Sequence, residues 1–215
     1  MKKLFSIAAA ILFASCTSTA QDIKLPAADM NQKSLSMVET LRTRHSVRTY
    51  SSRELSLQEL SNLCWAACGV SRNNDFRTSP TARNRKEIRL FVFTKKGVYE
   101  YFPVENILKE MAKGDQRSLV AGSKEFSQDF VLEAPVSLVM VVDLEKMGGK
   151  DERARMMGCV DAGNVSENVN LYCQSVGLCT VPRATMDSKG ISALLGLTAD
   201  QFPVMNNPVG YPKED

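Results

Sequence analysis

The chain contains 215 residues, of which 44% are hydrophobic and 24% are charged, and its formal net charge is +3 at pH 7. This composition is typical of one globular domain with a sizeable core; it excludes a disordered chain and gives no reason to expect nucleic acid as a partner. His45 is the only histidine, so a histidine-activated nucleophile would have to use it, and the sequence has no Gly-x-Ser-x-Gly elbow, Walker loop or dinucleotide glycine fingerprint.

Residues 1–20 have the features of an export leader: a positively charged start, an apolar stretch over 4–14 that is too short to span a bilayer as a helix, and small residues after it. Two processing routes are open. The segment 13–16 resembles a lipobox, in which Cys16 would carry a lipid, whereas 18–20 resembles an ordinary signal-peptidase site. We therefore expect an exported protein, either a lipoprotein anchored to a membrane only through Cys16 or a periplasmic protein of a bacterium.

The cysteine count does not depend on how the leader is processed, because five remain beyond it: Cys64, Cys68, Cys159, Cys173 and Cys179. At least one is unpaired within a monomer, and no pair has the two-residue spacing of a zinc ribbon or a dithiol redox motif. Cys64 and Cys68 lie one turn apart on a predicted helix, where we expect small buried apolar side chains. We expect neither a metal site nor thiol catalysis.

The first part of the domain is predicted to be helical. Residues 21–34 are polar and without a periodic pattern, which indicates a linker, and 35–43 have apolar residues at helical spacing. Ser56 and Glu59 form a capping box at the start of a second helix, which Gly69 ends.

A polar, arginine-rich loop is expected over 70–86, and long loops of this kind are more often functional than idle. Strands over 88–93 and 98–102 follow, joined as a hairpin through the Lys-Lys-Gly turn at 95–97. Helices are then predicted over 104–113 and 124–133.

The second half of the chain begins with a nearly continuous apolar run over 136–142, typical of a strand buried on both faces. A long helix is predicted over 152–176, where Gly158, Ala162 and Gly163 would let another element, such as a partner subunit, approach closely. We place the remaining elements as a strand at 178–182, a helix at 188–195 and a strand at 202–209. Strands and helices mixed in this way, with an early hairpin, indicate an α+β sheet covered by helices.

The five residues Arg44-His45-Ser46-Val47-Arg48, followed by Tyr50, combine three side chains that can bind phosphate. In an extended segment, Arg44, Ser46 and Arg48 would share one side and span roughly 13 Å, the reach of a mononucleotide. An exposed basic turn with a stacking tyrosine is the alternative interpretation.

Residues 44–50 resemble the FMN-binding segment of the nitroreductase superfamily, and further motifs follow in the same order. We call residues 44–50 the first flavin segment and residues 79–84, which resemble the second FMN-binding loop of that family, the second flavin segment. The other matching motifs are Asp161-Ala162-Gly163 with Asn168, Gly177-Leu178, and the closing segment 208–213. Residues 65–70 and 97–101 look most like the branch that includes peptide-azoline dehydrogenases.

The resemblance covers 35–213 and implies an α+β, three-layer α/β/α sandwich, with a mixed, mainly antiparallel central sheet flanked by helices and a long helix in the dimer core. It also implies a homodimer that binds FMN between its subunits and acts on a small-molecule substrate. Glu167 and Lys86 stand where related chains commonly have glutamine, which leaves the substrate open.

The resemblance assigns roles to single residues. Arg44 and Ser46 would hold the FMN phosphate, and Arg48 would face the pyrimidine edge of the ring, where a cation stabilises negative charge. His45, between them, is a further cofactor-binding candidate.

Further contacts are implied from other parts of the chain. Backbone amides near Arg183 and Ala184 would meet polar atoms of the ring, and Lys213 is a further phosphate candidate. The other subunit would contribute Pro80, Thr81, Ala82 and Asn84.

The sequence thus predicts an exported FMN-dependent oxidoreductase that transfers hydride between a donor and a small-molecule acceptor through the bound flavin. NAD(P)H is an uncertain donor because it is a cytoplasmic reductant. We identify no catalytic acid or base. Two alternatives are open: a catalytically inactive protein that binds flavin or another ligand on the same fold, and a structural surface lipoprotein.

Overall fold

The computed structural model describes residues 21–73 and 75–213. The predicted leader and Cys16 lie outside the described residues. The helices and strands are β1 (Ile23–Lys24), α1 (Met37–Thr43), α2 (Leu57–Cys68), β2 (Val70–Arg72), β3 (Phe76–Arg77), β4 (Ile88–Thr94), β5 (Gly97–Phe102), β6 (Ile107–Lys113), α3 (Arg117–Ala121), β7 (Val136–Asp143), α4 (Leu144–Met147), α5 (Glu152–Val176), β8 (Cys179–Thr180), α6 (Ser188–Leu195) and β9 (Gln201–Gly210).

A seven-stranded sheet in the order β1-β6-β5-β4-β7-β9-β8 forms the centre of the fold. All six pairings between its neighbouring strands are antiparallel in the part of the chain that the structure describes. β4 and β5 form the predicted hairpin, and every residue of β7 is buried, as its apolar run predicts. The small hairpin of β2 and β3 lies in the predicted arginine-rich loop.

Alternating side chains of the sheet face two different helical layers. In β4, Leu90 and Val92 pack with α2 and α5, whereas Phe91 and Phe93 pack with α3 and α6 on the opposite face. This period-two alternation gives the sheet two apolar faces, each of which needs a covering layer. The structure therefore confirms the α+β, three-layer sandwich.

The two helices beside the candidate site begin and end where their sequence signals predict. The Ser56 hydroxyl accepts from the Glu59 N–H and the Glu59 carboxylate accepts from the Ser56 N–H, which completes the capping box of α2. Asp151 caps α5 by accepting from the Ala154 N–H, and Gly177 ends the helix at φ 79°, a conformation that favours glycine.

The small residues of α5 have different explanations. A Cβ added to Gly158 would lie 2.5 Å from Val142 Cγ1, so Gly158 lets the helix approach its own sheet. Ala162 is buried in the core below α5. Gly163 has no described atom within 4 Å of such a Cβ, so it leaves this part of the helix surface open.

The helix predicted over 104–113 is wrong, because Ile107–Lys113 form strand β6. Its Leu, Lys, Glu, Met and Ala residues favour helices locally, but pairing with β5 and burial of Leu108 outweigh that preference. Asn106 adopts φ 52° in the turn before the strand, and its side-chain amide donates to the Pro26 carbonyl at 2.8 Å.

The helix predicted over 124–133 is also wrong, because only Asp129–Leu132 form a short 3-10 turn. Ser123 and Ser127 bond locally to Glu125 and Asp129, and such contacts offer the backbone an alternative to a helix.

Part of the segment 21–34, predicted as a linker, packs against the domain. Ile23 and Lys24 pair with β6, and Leu25 is buried in the core. The Asp29 N–H donates to Asn62 Oδ1 of α2 at 2.9 Å. The absence of periodicity is explained by the shortness of this edge strand, which has two residues.

The five described cysteines are free; four are buried and Cys159 is exposed. Cys64 and Cys68 are core residues of α2, as predicted. Among residues 21–73 and 75–213, no helix is long and apolar enough to cross a membrane.

Candidate functional site

The first flavin segment starts at the end of α1 and is tied to the sheet edge at two points. The Val47 N–H donates to the Thr180 carbonyl at 3.1 Å, and Tyr50 pairs with Pro212. The Tyr50 hydroxyl, whose pKa burial raises, donates to the Val47 carbonyl at 3.1 Å. Tyr50 is therefore an internal anchor, and a stacking role for it is wrong.

The polar side chains of this segment are available for a ligand. The guanidinium groups of Arg44 and Arg48 and the hydroxyl of Ser46 form no hydrogen bond or ion pair with any residue that the structure describes. Ser46 and Arg48 are exposed and Arg44 is half-buried. His45 is exposed, with Nδ1 2.9 Å from the Thr43 carbonyl oxygen. A run of unpaired donors and cations is what an anionic ligand requires.

A buried polar network supports the sheet edge to which the segment is tied. Ser166 of α5 donates to Asn207 Oδ1 at 2.7 Å, and Asn207 donates to the Thr180 hydroxyl at 3.3 Å. The Thr180 hydroxyl donates to the Pro208 carbonyl at 2.7 Å. Because these groups are satisfied and buried, the network fixes β8 and β9 against α5. The sequence patterns do not predict this polar network, although two consecutive asparagines in a buried strand are a signal for one.

The N–H and the side chain of Arg183 are both engaged within the protomer. The N–H donates to the Asn206 carbonyl at 2.8 Å, and the buried guanidinium donates to the carbonyls of Val120 and Ala121 at 3.1 Å each. Burial lowers the pKa of this guanidinium to about 10. Arg183 thus joins α3 to β9, and its neighbour Ala184 is exposed.

The C-terminal segment lies beside the first flavin segment. The Ser51 N–H donates to the Tyr211 carbonyl at 3.0 Å, and the Arg53 guanidinium stacks over the Tyr211 ring at 3.8 Å. The Tyr211 hydroxyl donates to Glu59 of α2. These contacts bring the exposed Lys213, the further phosphate candidate, to the same end of the sheet as Arg44 and Ser46.

The second flavin segment has an unusual backbone. Arg83 and Asn84 have φ 54° and the nearby Lys86 has φ 55°, a region that side-chain-bearing residues rarely adopt. The conformation is fixed by the Ala82 N–H, which donates to Asp161 Oδ2 of α5 at 2.6 Å, and by the Lys86 N–H, which donates to Thr81 Oγ1 at 3.0 Å. Strained backbone held in this way is frequent at ligand sites.

The exposure of the other residues in this segment leaves it accessible. Pro80 and Asn84 are exposed, and Thr81 and Ala82 are half-buried.

Two acidic residues behind the second flavin segment were not recognised as part of the site. The sequence motifs include Asp161 but assign it no contact, and no sequence motif includes the buried Glu87. Burial, together with the neighbouring Asp161, raises the pKa of Glu87 to about 8. A strongly shifted acid next to a ligand loop is typical of functional sites.

The two flavin segments are separated along α5. The first lies beside Gln174, whose amide donates to Thr43 Oγ1 at 3.1 Å, and the second is held by Asp161. These two helix positions are separated by about 20 Å at the α-helical rise of 1.5 Å per residue. The two segments of one protomer are therefore anchored at well-separated positions of α5.

Exposed apolar side chains occur near each of the two segments. Val38 and Leu41 of α1 are 77% and 59% exposed, and Met156 and Val160 of α5 are 57% and 51% exposed. Large apolar side chains left exposed in this way favour a contact surface. We call these four residues the α1–α5 face.

Comparison with known proteins shows the family of this chain and agrees with its fold. Residues 41–211 match the nitroreductase family. A Methanocaldococcus jannaschii protein provisionally named a nitroreductase is 30% identical over 200 residues, which make up 88% of this chain and 96% of that protein.

Solved structures with a similar fold are described in the same terms. A Ralstonia eutropha JMP134 protein provisionally described as a nitroreductase is 31% identical, has a TM-score of 0.81, and is covered over 90% of both chains. A Parabacteroides distasonis structure described as an NADH dehydrogenase or NAD(P)H nitroreductase is 20% identical, with a TM-score of 0.58, and the match covers 83% of this chain and 88% of that one. From the first flavin segment through the closing strand, the chain belongs to the nitroreductase family of oxidoreductases.

Proposed function

We propose that this protein is an FMN-dependent oxidoreductase in which each flavin is bound by two subunits of a homodimer. The observation that carries the proposal is the first flavin segment, where two guanidinium groups and a hydroxyl without partners among the described residues follow one another beside an anchored tyrosine. These side chains fit a ligand that has a phosphate group and a polar ring.

The residues of the first flavin segment have separate tasks in this proposal. Arg44 and Ser46 bind the phosphate, with Lys213 as an additional cation, and Arg48 stabilises negative charge at the pyrimidine edge of the ring. Ala184 is the exposed candidate for an amide contact. When bound, FMN supplies a two-electron redox centre that accepts hydride from a donor and passes it to an acceptor.

The second subunit is required because of the distance along α5. Pro80, Thr81, Ala82 and Asn84 belong to the segment held at Asp161, and this helix position is about 20 Å along α5 from the one beside the first flavin segment. The α1–α5 face has apolar side chains near each segment, and pairing it with a second copy buries them. The partner's second flavin segment then reaches the ligand.

We further propose that the protein is exported and obtains its electrons outside the cytoplasm, on the basis of the leader in residues 1–20. The donor is then either a reductant other than NAD(P)H or the substrate itself, as in a dehydrogenase. Anaerobic stopped-flow mixing with NADH and NADPH tests this proposal. Flavin reduction that saturates at micromolar nicotinamide would contradict it.

Within the family, we propose the branch that includes peptide-azoline dehydrogenases, on the basis of the motifs at 65–70 and 97–101. A synthetic peptide containing a thiazoline or oxazoline is then an electron donor that bleaches the flavin anaerobically. If neither the thiazoline peptide nor the oxazoline peptide changes the flavin spectrum, in a protein whose flavin dithionite reduces normally, this branch would be contradicted.

The central experiment is cofactor analysis of the purified protein. We expect a yellow protein that releases one FMN per chain on denaturation, and we expect Arg44→Ala to weaken FMN binding by roughly 10- to 100-fold, as loss of a charge-assisted phosphate contact of about 1.5–3 kcal/mol implies. The matched control is Arg42→Ala, which removes an exposed arginine from the adjacent turn of α1. A colourless protein that cannot be reconstituted with FMN would favour a binding protein for another ligand.

A further inference from the structure

A cavity of about 150 Å³ lies behind the second flavin segment, against strands β4 and β5. Ser79 and Thr81 of that segment form one wall, and Arg77, Lys86 and Arg89 bring three cationic side chains to its lining. All three are largely buried, with exposed side-chain fractions between 13% and 23%. Buried cations are costly unless carboxylates or bound anions compensate them.

The carboxylates around the cavity compensate these cations unequally. Arg89 is matched by Glu100, to which it donates two hydrogen bonds of 2.7 Å, and Asp143 adds a second negative charge at longer range. Arg77 and Lys86 instead share the single carboxylate of Asp75, at 3.0 and 3.1 Å.

Other titratable groups near the cavity do not remove this imbalance. Burial raises the pKa of Cys68 to about 12, so its thiol is neutral, and the raised pKa of Glu87 keeps that carboxyl mostly neutral at pH 7. Lys146 and Glu105 also line the cavity, but both are exposed and carry opposite charges. Among the described residues, Asp75 is therefore the single carboxylate in direct contact with the two cations Arg77 and Lys86.

Two polar atoms in the wall point to the same conclusion. The Arg77 Nη1 group and the Ser79 hydroxyl are buried and have no hydrogen-bond partner among the residues that the structure describes. Ser79 as a whole is only 4% exposed. Buried donors without partners are rare in native proteins and mark sites where something else binds.

Part of the lining is apolar. Tyr101, Phe102, Pro103 and Val104 follow one another along the end of β5 and the turn after it, and Ile88 adds an aliphatic side chain. The raised pKa of Tyr101 keeps its hydroxyl neutral. The lining therefore offers a ligand cations and a hydroxyl together with hydrocarbon surface.

We propose that this cavity binds a small organic monocarboxylate, with its carboxylate at Arg77, Lys86 and Ser79 and its short apolar chain against Phe102 and Val104. One negative charge adds to the single carboxylate of Asp75 beside these two cations, and the volume fits an acid of a few carbon atoms. This site is separate from the first flavin segment, and binding there does not require FMN.

Calorimetric and thermal-shift titrations of the purified protein with acetate, butyrate and inorganic phosphate, at constant ionic strength, test the proposal. We expect saturable binding of butyrate, weaker binding of acetate because it lacks the longer apolar chain, and still weaker binding of phosphate. Absence of saturable carboxylate binding, or tighter binding of phosphate than of butyrate, would overturn the assignment.

Two variants locate the ligand. Lys86→Gln removes one of the two cations while Arg77 retains Asp75, and Ser79→Ala removes the unpaired hydroxyl; we expect each to weaken butyrate binding, Lys86→Gln by roughly tenfold or more. Arg72→Gln, an exposed change outside the cavity, is the control and leaves binding unchanged. Butyrate binding that both cavity variants retain at full affinity would exclude this site, and a far-ultraviolet spectrum shows that each variant is folded.

Discussion

The buried carboxyl group of Glu87 shows how one residue makes the fold sensitive to pH. It has no exposed surface and lies at the start of β4, directly after the second flavin segment. Burial and the neighbouring Asp161 raise its pKa from 4.5 to about 8. Because the folded protein then retains a proton that the unfolded chain loses, the free energy of unfolding falls as the pH rises from about 4.5 to about 8.

We expect Glu87→Gln to remove this dependence. Relative to the unmodified protein, the variant gains stability between pH 5 and pH 9, by at least about 1.4 kcal/mol, the free energy of one pKa unit. Urea unfolding at a series of pH values measures the difference. Glu133→Gln, a change at an exposed carboxylate, is the control. A constant stability difference between Glu87→Gln and the unmodified protein across this range would contradict the assignment.

Asp161 is the residue that holds the second flavin segment in its strained conformation. Asp161→Ala leaves the Ala82 N–H without its acceptor, and we expect a loss of about 1–3 kcal/mol in the free energy of unfolding. We also expect weaker FMN binding, measured by quenching of flavin fluorescence. Asp161→Asn keeps a side-chain oxygen as acceptor and is the matched control. Equal FMN affinities for Asp161→Ala and the unmodified protein would show that this hydrogen bond does not position the segment.

At the scale of elements, the sequence predicts best where local signals and tertiary packing agree. Helix α5 begins and ends where its pattern and flanking residues predict, and α2 has the predicted capping box. β6 was missed because its residues favour a helix locally, and only the distant pairing with β5 makes the strand. The arginines of the first flavin segment are predicted by a local motif. The burial of Arg183 instead depends on carbonyl groups about 60 residues away, which no local pattern predicts.

The α1–α5 face provides a prediction about whole elements. A charge placed in the middle of an apolar interface is desolvated without a partner, so we expect Val160→Arg to convert the dimer into a monomer and to abolish tight FMN binding. Light scattering after gel filtration measures the mass. Met30→Arg, at an exposed apolar residue outside this face, is the control. An unmodified protein that is monomeric, or a Val160→Arg variant that remains dimeric, would place the interface elsewhere.

At the scale of the whole molecule, the separation of the two flavin segments predicts complementation between defective subunits. In the proposed dimer, each site takes Arg44 from one chain and Asn84 from the other. A heterodimer of Arg44→Ala and Asn84→Ala chains therefore carries both changes in one site and neither change in the other, because the interface is two-fold symmetric.

The expected signal can be calculated from random exchange of subunits. If the two variants are mixed in equal amounts, about half of the dimers are heterodimers and about a quarter of all sites are intact, as two-fold symmetry requires. We expect neither variant alone to bind FMN tightly, and we expect the exchanged mixture to bind FMN tightly at about a quarter of its sites. Titration of bound FMN before and after exchange measures this fraction. No recovery in a mixture that forms heterodimers, shown by mass spectrometry, would mean that each site is built from a single chain.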